Sequence, residues 1–256
     1  FPIADSSGRV IAFSGRVLSE DAGKTLGATA SAKYVNSPET EVFHKSRAMF
    51  GFYQAKEAMR REDSAVLVEG QMDLVMSHQA GVENTVASSG TALTSEHLTL
   101  IKRFTKNIIL ALDADDAGRA AVLRAIELAL SQEMEVFIVK LPLGRDPGDM
   151  ALENPILWKE SVKNKKSVIP YYIELLPELY PEKLTLLSEV TRIIIPLIAE
   201  TKGSIKQAHY IGNISELLHI KEDAIWEEVK KRSATINIVH ESEKPIVSIA
   251  PLSRRA

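Results

Sequence analysis

Carboxylates follow apolar segments at three places in the first 150 residues. Glu69 ends one segment, Asp113 and Asp115 end a second about forty residues later, and Asp146 lies in an Asp-Pro-Gly-Asp loop after a third. Oxygen ligands of this kind are the ones that Mg²⁺ prefers in proteins. Carboxylates gathered in one place also repel one another unless a cation lies between them. The combination therefore predicts a site for a divalent metal ion.

Each acid taken singly has a plainer interpretation. A carboxylate after a strand is usually a turn residue or a helix N-cap, and for Glu69 alone this is the better interpretation. Two acids spaced like Asp113 and Asp115 are common in loops. Asp73 falls in the first turn of the next helix, either as an acid that interacts with the helix dipole or as a further carboxylate of the metal cluster. Only the three segments together favour the metal site.

The apolar segments predict the elements that must position these acids. Segments 66–68 and 108–112 are short, continuously apolar and rich in branched residues, which is typical of strands buried on both faces. Segment 134–140 predicts a third strand. Helical patterns separate the three, and this alternation favours a parallel sheet. Ligands of open α/β sheets bind beyond the carboxyl ends of the strands, which is where the acids fall.

Local signals predict further elements on both sides of the first central strand. Residues 5–8 form the turn of a hairpin, and residues 19–32 are small and polar, as expected of a loop or a long hairpin tip. Residues 52–60 have the pattern of an amphipathic helix. Thr94 is the expected N-cap of the helix that follows it.

Several stretches carry a resemblance to a known family. Val68-Glu-Gly-x-Met-Asp73 and Leu112-Asp-Ala-Asp-x-Ala-Gly118 are similar to the signature of the TOPRIM fold, which primases, topoisomerases and some nucleases share. Stretches 8–16, 33–45 and 87–93 resemble bacterial replicative primase of the DnaG type. The resemblance runs with few gaps to about residue 149 and continues more loosely beyond it.

The resemblance implies a fold and a division of the chain. Residues 61–150 are expected to form an α/β TOPRIM catalytic domain, with a central, mostly parallel sheet flanked by helices. Residues 1–60 would be the remnant of a basic N-terminal α+β subdomain of the primase core. From residue 154 onward the apolar residues recur with helical spacing, which predicts a C-terminal helical bundle over 151–232. Residues 233–256 lack a clear period and are expected to be a flexible linker.

The resemblance also implies roles for the acids. Asp113, Asp115 and Asp146 would be ligands of Mg²⁺, for which Mn²⁺ can substitute. Glu69 would be either a further ligand or an acid/base group, with Asp73 in support, so the catalytic set is Glu69, Asp113 and Asp115. Asp149 lies one position away from the family's Asp-Pro-Asp/Glu pattern, and its role stays open. Two further departures are Gln71, where the family often has an aromatic residue, and Asp116, where a basic residue is common.

Residues in the first sixty positions are expected to line the path of nucleic acid. Arg16, Lys33, Asn36 and Lys45 match motif positions that contact the template and the incoming nucleotide in the family. Arginine can bind a phosphate with two hydrogen bonds, whereas lysine acts as a point charge. Any one of these residues alone could equally belong to a solvated face. The net charge is +2 over 1–60, −6 over 61–150 and +1 over 151–256, so the acidic excess coincides with the predicted metal segment.

Composition excludes several classes of protein. With 256 residues, 45% of them hydrophobic, the chain can bury the core of one large or two smaller domains. No apolar segment approaches the ~18 residues of a membrane-spanning helix, so no membrane partner is expected and the predicted location is cytoplasmic. Zero cysteines leave no disulfide and no thiolate zinc site, although the primase family carries an N-terminal zinc-binding domain. The first residue is Phe1 rather than Met, which predicts a shortened form of a longer protein.

These expectations converge on one function and leave two alternatives. The resemblance implies the RNA-polymerase core of a bacterial primase, which makes short RNA primers on single-stranded DNA from nucleoside triphosphates. It implies the replicative helicase as a partner, through a C-terminal domain absent from this sequence. A TOPRIM nuclease would use the same acids to cleave phosphodiesters. A fragment that only binds nucleic acid is the third possibility.

Overall fold

The computed structural model describes residues 1–16, 34–112, 116–142 and 144–242. Within these ranges the strands form two sheets, one of three strands and one of five. Three predicted site residues, Lys33, Asp113 and Asp115, lie outside the described residues, as does the predicted loop 19–32.

The N-terminal sheet is antiparallel and contains β1 (Pro2–Ala4), β2 (Val10–Arg16) and β3 (Tyr34–Asn36). The turn between β1 and β2 is closed by Asp5, whose Oδ1 accepts hydrogen bonds from the backbone amides of Ser7 and Arg9 at 2.8 and 3.0 Å. This is the common local hydrogen bonding of aspartate in turns. The predicted hairpin and its turn at 5–8 are confirmed.

The five-stranded sheet has the order β5-β4-β6-β7-β8. The strands are β4 (Ala65–Val68), β5 (Thr85–Ala87), β6 (Asn107–Leu110), β7 (Glu135–Ile138) and β8 (Lys166–Ser167). The first four in the order are parallel, and β8 pairs antiparallel with β7. The predicted, mostly parallel sheet is therefore confirmed. The sequence predicts helix throughout from residue 154, and β8 corrects this, because its two residues become a strand only by pairing with β7.

Helices cover both faces of this sheet. Six of them are α1 (Phe52–Glu62), α2 (Gln71–Gln79), α3 (Ser95–Lys102), α4 (Asp116–Ser131), α5 (Pro147–Glu153) and α6 (Pro155–Lys163). Neighbouring strand residues point to opposite faces, so Leu67 packs in one hydrophobic core while Val66 and Val68 pack in the other. Burial on both faces explains why the strand segments are continuously apolar.

Helices α1, α3 and α4 contribute to the core on the Leu67 face, and α2, α5 and α6 contribute to the core on the opposite face. Trp158 of α6 is fully buried in that second core. The N-terminal sheet packs there too, through Ile3 and Ala12. Helix α3 begins as predicted, because the Thr94 side chain accepts a hydrogen bond from the backbone amide of His97 at 3.1 Å.

Four further helices follow β8. They are α7 (Val168–Leu179), α8 (Lys183–Glu200), α9 (Ser204–Leu218) and α10 (Glu222–Ser242). Their buried residues, such as Ile194, Ile214 and Val229, belong to the same core as the Leu67 face of the sheet. None of the helices in the described part of the chain is both long and apolar enough to cross a membrane.

The end of α10 differs from the sequence prediction. Residues from 233 onward are predicted to be linker, whereas the helix continues to Ser242. The first half of α10 is fixed by Ile225 and Val229, which are buried in the core. Forming the first turn of a helix costs free energy, whereas adding a residue to an existing helix costs little. Residues with a weak preference for helix can therefore extend it. Residues 243–256 lie outside the described residues.

Candidate active site at the carboxyl edge of the sheet

Glu69 lies at the carboxyl edge of the five-stranded sheet, directly after β4. Its side chain is exposed, and its backbone carbonyl accepts a hydrogen bond from the amide of Ser89 at 3.0 Å. Ser89 follows the neighbouring strand β5, so the ends of the two strands are tied together. The strand end therefore presents the Glu69 carboxylate outside the core, at the place where the sheet topology puts ligands.

Asp73 joins two helix N-termini. Its Oδ2 accepts a hydrogen bond from the Gly70 amide at 2.9 Å, and its Oδ1 accepts one from the Gly148 amide at 3.2 Å. Gly70 precedes α2 and Gly148 lies in the first turn of α5, so one carboxylate binds the positive ends of both helix dipoles. Of the two interpretations open for Asp73, the helix-terminus role is thus present.

Asp146 is the N-cap of α5 and lies beside Asp73. Its Oδ1 accepts a hydrogen bond from the Asp149 amide at 2.6 Å, with Pro147 in the first helical position. A Cβ on Gly148 would lie 2.8 Å from Asp73 Oδ1 and 3.4 Å from Asp146 Oδ1. The two carboxylates therefore face the same glycine, and the structure brings these two predicted ligands together. The Asp149 side chain is exposed, and its contribution here is its backbone amide.

Strand β6 leads toward the same edge between β4 and β7. The Ala111 amide donates to the Leu67 carbonyl at 2.9 Å, and the Val139 amide donates to the Leu110 carbonyl at 3.0 Å. The residues that follow Leu112, at 113–115, lie outside the described residues. Within the ranges that the structure describes, no three histidine or acidic side chains are grouped so as to hold a metal ion. The predicted ligands Asp113 and Asp115 are not among those residues.

The donor chemistry of this edge fits a hard divalent cation. Glu69, Asp73 and Asp146 offer carboxylate oxygens, and the sequence has zero cysteines to offer a thiolate. The glycine at 148 lets the backbone approach Asp73 and Asp146 closely, since a larger residue would contact both carboxylates. Oxygen-only donors of this kind suit Mg²⁺ or Mn²⁺ rather than a thiolate-bound metal.

Arg16 and Asn36 lie on one face of the N-terminal sheet, next to this edge. The cross-strand pairs Arg16–Tyr34 and Ser14–Asn36 put all four side chains on the same face. The Arg16 guanidinium lies 5.6 Å from the centre of the Tyr34 ring. The Asn36 amide donates to the Ser89 carbonyl at 2.8 Å, so the predicted nucleic-acid face is attached to the loop that also binds the Glu69 backbone.

Lys45 lies on a loop that is held against α3. Its backbone amide donates to Glu39 Oε1 at 2.9 Å, and its carbonyl accepts from the His97 ring at 3.1 Å. The described contacts of Lys45 thus involve the loop and α3 rather than Arg16 or Asn36. Its role in binding nucleic acid stays a prediction.

His97 is a structural residue of this region. It is fully buried, and its Nε2 lies 3.1 Å from the carbonyl oxygens of both Lys45 and Ala48, to which the ring N–H can donate. Burial lowers the pKa of the imidazole below its ordinary value of 6.5, and hydrogen bonds to the two carbonyls oppose the shift.

Sequence reasoning missed a buried polar cluster formed by Gln71, Ser14 and Ser89. The Gln71 Nε2 donates to Ser14 Oγ at 2.8 Å and to Ser89 Oγ at 2.5 Å. The signal available in the sequence was Gln71 itself, a polar residue where an aromatic is common in the family. Its partners could not be read from the sequence, because one of them is 57 residues away.

Two protein-family models match parts of this chain. Residues 1–56 match the family model described as the N-terminal domain of the DNA primase catalytic core, and residues 66–151 match a Toprim-like model. The chain is 42% identical over 168 residues to the DNA primase of Listeria monocytogenes, which covers 65% of this chain and 26% of that primase. The chain therefore spans about a quarter of the length of this curated relative.

Solved structures extend the match to most of the chain. A DNA primase domain from Pseudomonas aeruginosa has a TM-score of 0.72 and 31% identity, and the match covers 91% of this chain and 71% of that one. The DnaG primase catalytic domain bound to single-stranded DNA has a TM-score of 0.70 and 31% identity, with 88% and 70% covered.

Proposed function

The chain belongs to the bacterial DNA primase family, and we propose that it contains the polymerase centre, which joins ribonucleotides into short RNA primers on single-stranded DNA. One observation carries the proposal. An edge bearing Glu69, Asp73 and Asp146 is tied through Ser89 to a hairpin face bearing Arg16 and Asn36. Carboxylates for a metal ion and an arginine for a phosphate are what a reaction on metal-bound phosphates requires.

We propose that Asp113, Asp115 and Asp146 hold Mg²⁺, with Glu69 as a further ligand or as the group that moves a proton. Mn²⁺ can substitute. When bound, the metal neutralises charge on the triphosphate and promotes attack by a 3′-hydroxyl. The carboxylate donors at this edge support the assignment.

The remaining residues bind and orient. Arg16 can hold a phosphate with two parallel hydrogen bonds, and its guanidinium lies over the Tyr34 ring. Asp73 joins the start of α2, which follows Glu69, to the first turn of α5, which Asp146 caps. Asn36, Lys33 and Lys45 are proposed to contact template or nucleotide.

The proposed partners are single-stranded DNA and nucleoside triphosphates. The relative that has been solved with single-stranded DNA supports the first of them. The replicative helicase is proposed as a partner of the whole protein, through a domain outside this sequence. Such an enzyme would act in the cytoplasm, where the chromosome is replicated.

A primer-extension assay tests the proposal. The protein is incubated with ribonucleotides, Mg²⁺ or Mn²⁺, and two substrates: bare single-stranded DNA and a template that carries a labelled RNA primer with a free 3′-hydroxyl. Extension of the primer is the expected result, and it separates elongation from the ability to start a strand. Shortening of either strand would instead support the nuclease. Binding without any change in strand length would support the third possibility, a fragment that only binds nucleic acid.

A further inference from the structure

A buried amide lies between the two sheets. Gln71 is 3% exposed, and the hydroxyls that it binds, on Ser14 and Ser89, belong to residues that are 1% and 7% exposed. Each N–H of the amide thus has its own partner, one on strand β2 of the hairpin and one on the loop after β5. We refer to these three residues as the Gln71 clasp.

Each member of the clasp adjoins a residue of the proposed active site. Ser14 is two positions before Arg16, and Gln71 is two positions after Glu69. Ser89 donates its backbone amide to the Glu69 carbonyl, and its own carbonyl accepts from the Asn36 side chain. The clasp therefore connects the strand end that carries Glu69 to the two strands that carry Arg16 and Asn36.

The backbone at Ser89 is held in an unusual conformation. Its φ is 55°, in the left-handed region that side chains other than glycine adopt uncommonly. Such a conformation persists when its surroundings over-determine it, and it is found preferentially at functional sites. Here the amide, the carbonyl and the hydroxyl of Ser89 each have a hydrogen-bond partner in the site region.

The rest of the contact between the hairpin and the domain is largely apolar. Ile3 and Ala12 pack with Val68 and Leu74 in one core, and in the described part of the chain the two sheets share no strand ladder. Apolar packing is tolerant of small shifts, whereas hydrogen bonds have a defined direction and length. Two further hydrogen bonds join the hairpin to the domain, from the Asn36 side chain to the Ser89 carbonyl and, at the exposed turn, from Lys56 Nζ to the Ser6 carbonyl at 3.4 Å. Among the described hydrogen bonds, the clasp is the one that joins strand β2 to the domain, so it can fix where Arg16 lies relative to the carboxyl edge.

We propose that Gln71 is a positioning residue, which sets the placement of Arg16 and Asn36 relative to Glu69 and so controls how substrate phosphates meet the acids. This inference rests on the proposed function. Gln71 itself touches no substrate. Its loss should change the rate of the bound complex more than the binding of DNA, because the charged groups remain and only their mutual placement changes.

The chain provides a matched control at the opposite edge of the same strands. Asn84 is another buried side-chain amide, 5% exposed, and it donates to the carbonyl and the hydroxyl of Ser64 at 2.9 and 3.1 Å. It holds the amino ends of β4 and β5 together, away from the proposed site. Gln71→Met and Asn84→Leu each remove a buried amide and keep nearly the same shape and volume.

The experiment compares these two variants with the wild type in primer extension, at a temperature well below the Tm of all three. Both variants should have a lower Tm. Only Gln71→Met should lower kcat, by at least about tenfold, with a KM for ribonucleotide that changes less and unchanged DNA affinity. Ser14→Ala should also lower kcat, and adding it to Gln71→Met should lower kcat little further, as expected of residues that act through one contact.

Hydrogen exchange provides a readout that does not depend on activity. Amides of segments 1–16 and 34–37 should exchange faster in Gln71→Met than in the wild type or in Asn84→Leu. Equal kcat values for Gln71→Met and the wild type, or equal losses in both variants, would overturn the positioning role. A wild-type protein that does not extend primers would instead overturn the proposed function. In that case the exchange rates alone would test whether the clasp holds the hairpin in place.

Discussion

The two edges of the five-stranded sheet use the same residue types in different ways. At the amino edge, Asp63 accepts hydrogen bonds from the side chains of Thr105 and Asn107 at 2.9 and 3.1 Å, and Asn84 binds Ser64. At the carboxyl edge, Asp73 binds backbone amides of two helices, while the Glu69 side chain is exposed. Both edges contain an acid and a buried amide, but their partners differ.

The difference teaches how to tell a structural acid from a candidate catalytic one. At the amino edge both oxygens of Asp63 are bound by side chains of one short loop and one strand. At the carboxyl edge, acids from separate parts of the sequence, Asp73 and Asp146, converge on Gly148. Acids that are brought together from distant segments cost repulsion, and a bound cation offsets it. Substitutions at matched positions can test this contrast.

The largest expected effect is on catalysis. Asp146→Asn should lower metal-dependent extension by about 100-fold, because one carboxylate ligand becomes neutral. The fold should keep its stability, since asparagine caps a helix as well as aspartate does. Asp63→Asn at the amino edge should have the opposite effects. Its free energy of unfolding should fall by about 1 kcal/mol, while its activity at low temperature should be normal. Primer extension and denaturant unfolding of both variants check this prediction. Equal activity in the two variants would show that Asp146 is not a metal ligand.

Glycine at 148 should be the most sensitive glycine of the site. Gly148→Ala puts a methyl group 2.8 Å from Asp73 Oδ1, so the carboxylate or the helix must move. The expected loss is roughly 1–3 kcal/mol of stability, accompanied by weaker Mn²⁺ binding. Gly212→Ala in α9 has room for the added carbon and should stabilise the helix by about 0.5–1 kcal/mol. Thermal melts with and without Mn²⁺ separate the two, and a Gly148→Ala protein as stable as the wild type would contradict the packing argument.

His97 should affect stability but not the reaction. Because the pKa of the folded imidazole is lowered, its contribution to stability is fully present above pH 6.5 and is lost as the pH falls through the folded pKa. The slope can reach at most about 1.4 kcal/mol per pH unit. In His97→Gln the loss of stability between pH 7.5 and 5.5 should be smaller. Urea unfolding at the two values measures it, and an unchanged slope would show that another group controls the acid sensitivity.

The smallest effect is expected for Arg16. Arg16→Ala should weaken binding to all single-stranded DNA sequences alike and reduce the salt slope by about 0.7, the value for one phosphate contact. Lys45→Ala should do the same if the family role applies to it. Lys231→Ala, an exposed change in α10, is the control and should leave the slope unchanged. DNA-binding titrations at several salt concentrations measure this slope. An unchanged slope in Arg16→Ala would show that the DNA binds elsewhere on the protein.

Strands with continuous apolar runs could be predicted from the sequence, because burial on both faces leaves a local signature around Leu67 and Ile109. The cap at Thr94 and the turn at Asp5 were predictable for the same reason, since their hydrogen bonds reach only a few residues along the chain. Strand β8 was missed, because two residues are too few to show the alternation of apolar and polar residues that is typical of a strand. Only their pairing with β7 makes them a strand. The Gln71 clasp was missed because its partners come from distant segments.

For the candidate site, residue types and strand ends were enough to place Glu69, Asp73 and Asp146 at one edge. The hydrogen bonds of Asp73 to two helices could not be foreseen, since they depend on how α2 and α5 pack. The sequence likewise did not show that Asn36 binds the loop after β5. The positions of Asp113, Asp115 and Lys33 stay predictions, as do the metal-binding and catalytic roles of all the candidate residues.

The short outer strands of the five-stranded sheet affect how the protein behaves at high concentration. Strand β5 has three residues and is bridged by Phe50, and β8 has two. Where β8 leaves β7 uncovered, Glu135 is exposed and forms an ion pair with Lys206. A long row of unpaired backbone groups would recruit strands from other molecules, whereas short outer strands and charges discourage such pairing. In the described part of the chain the sheet therefore resists growing into aggregates.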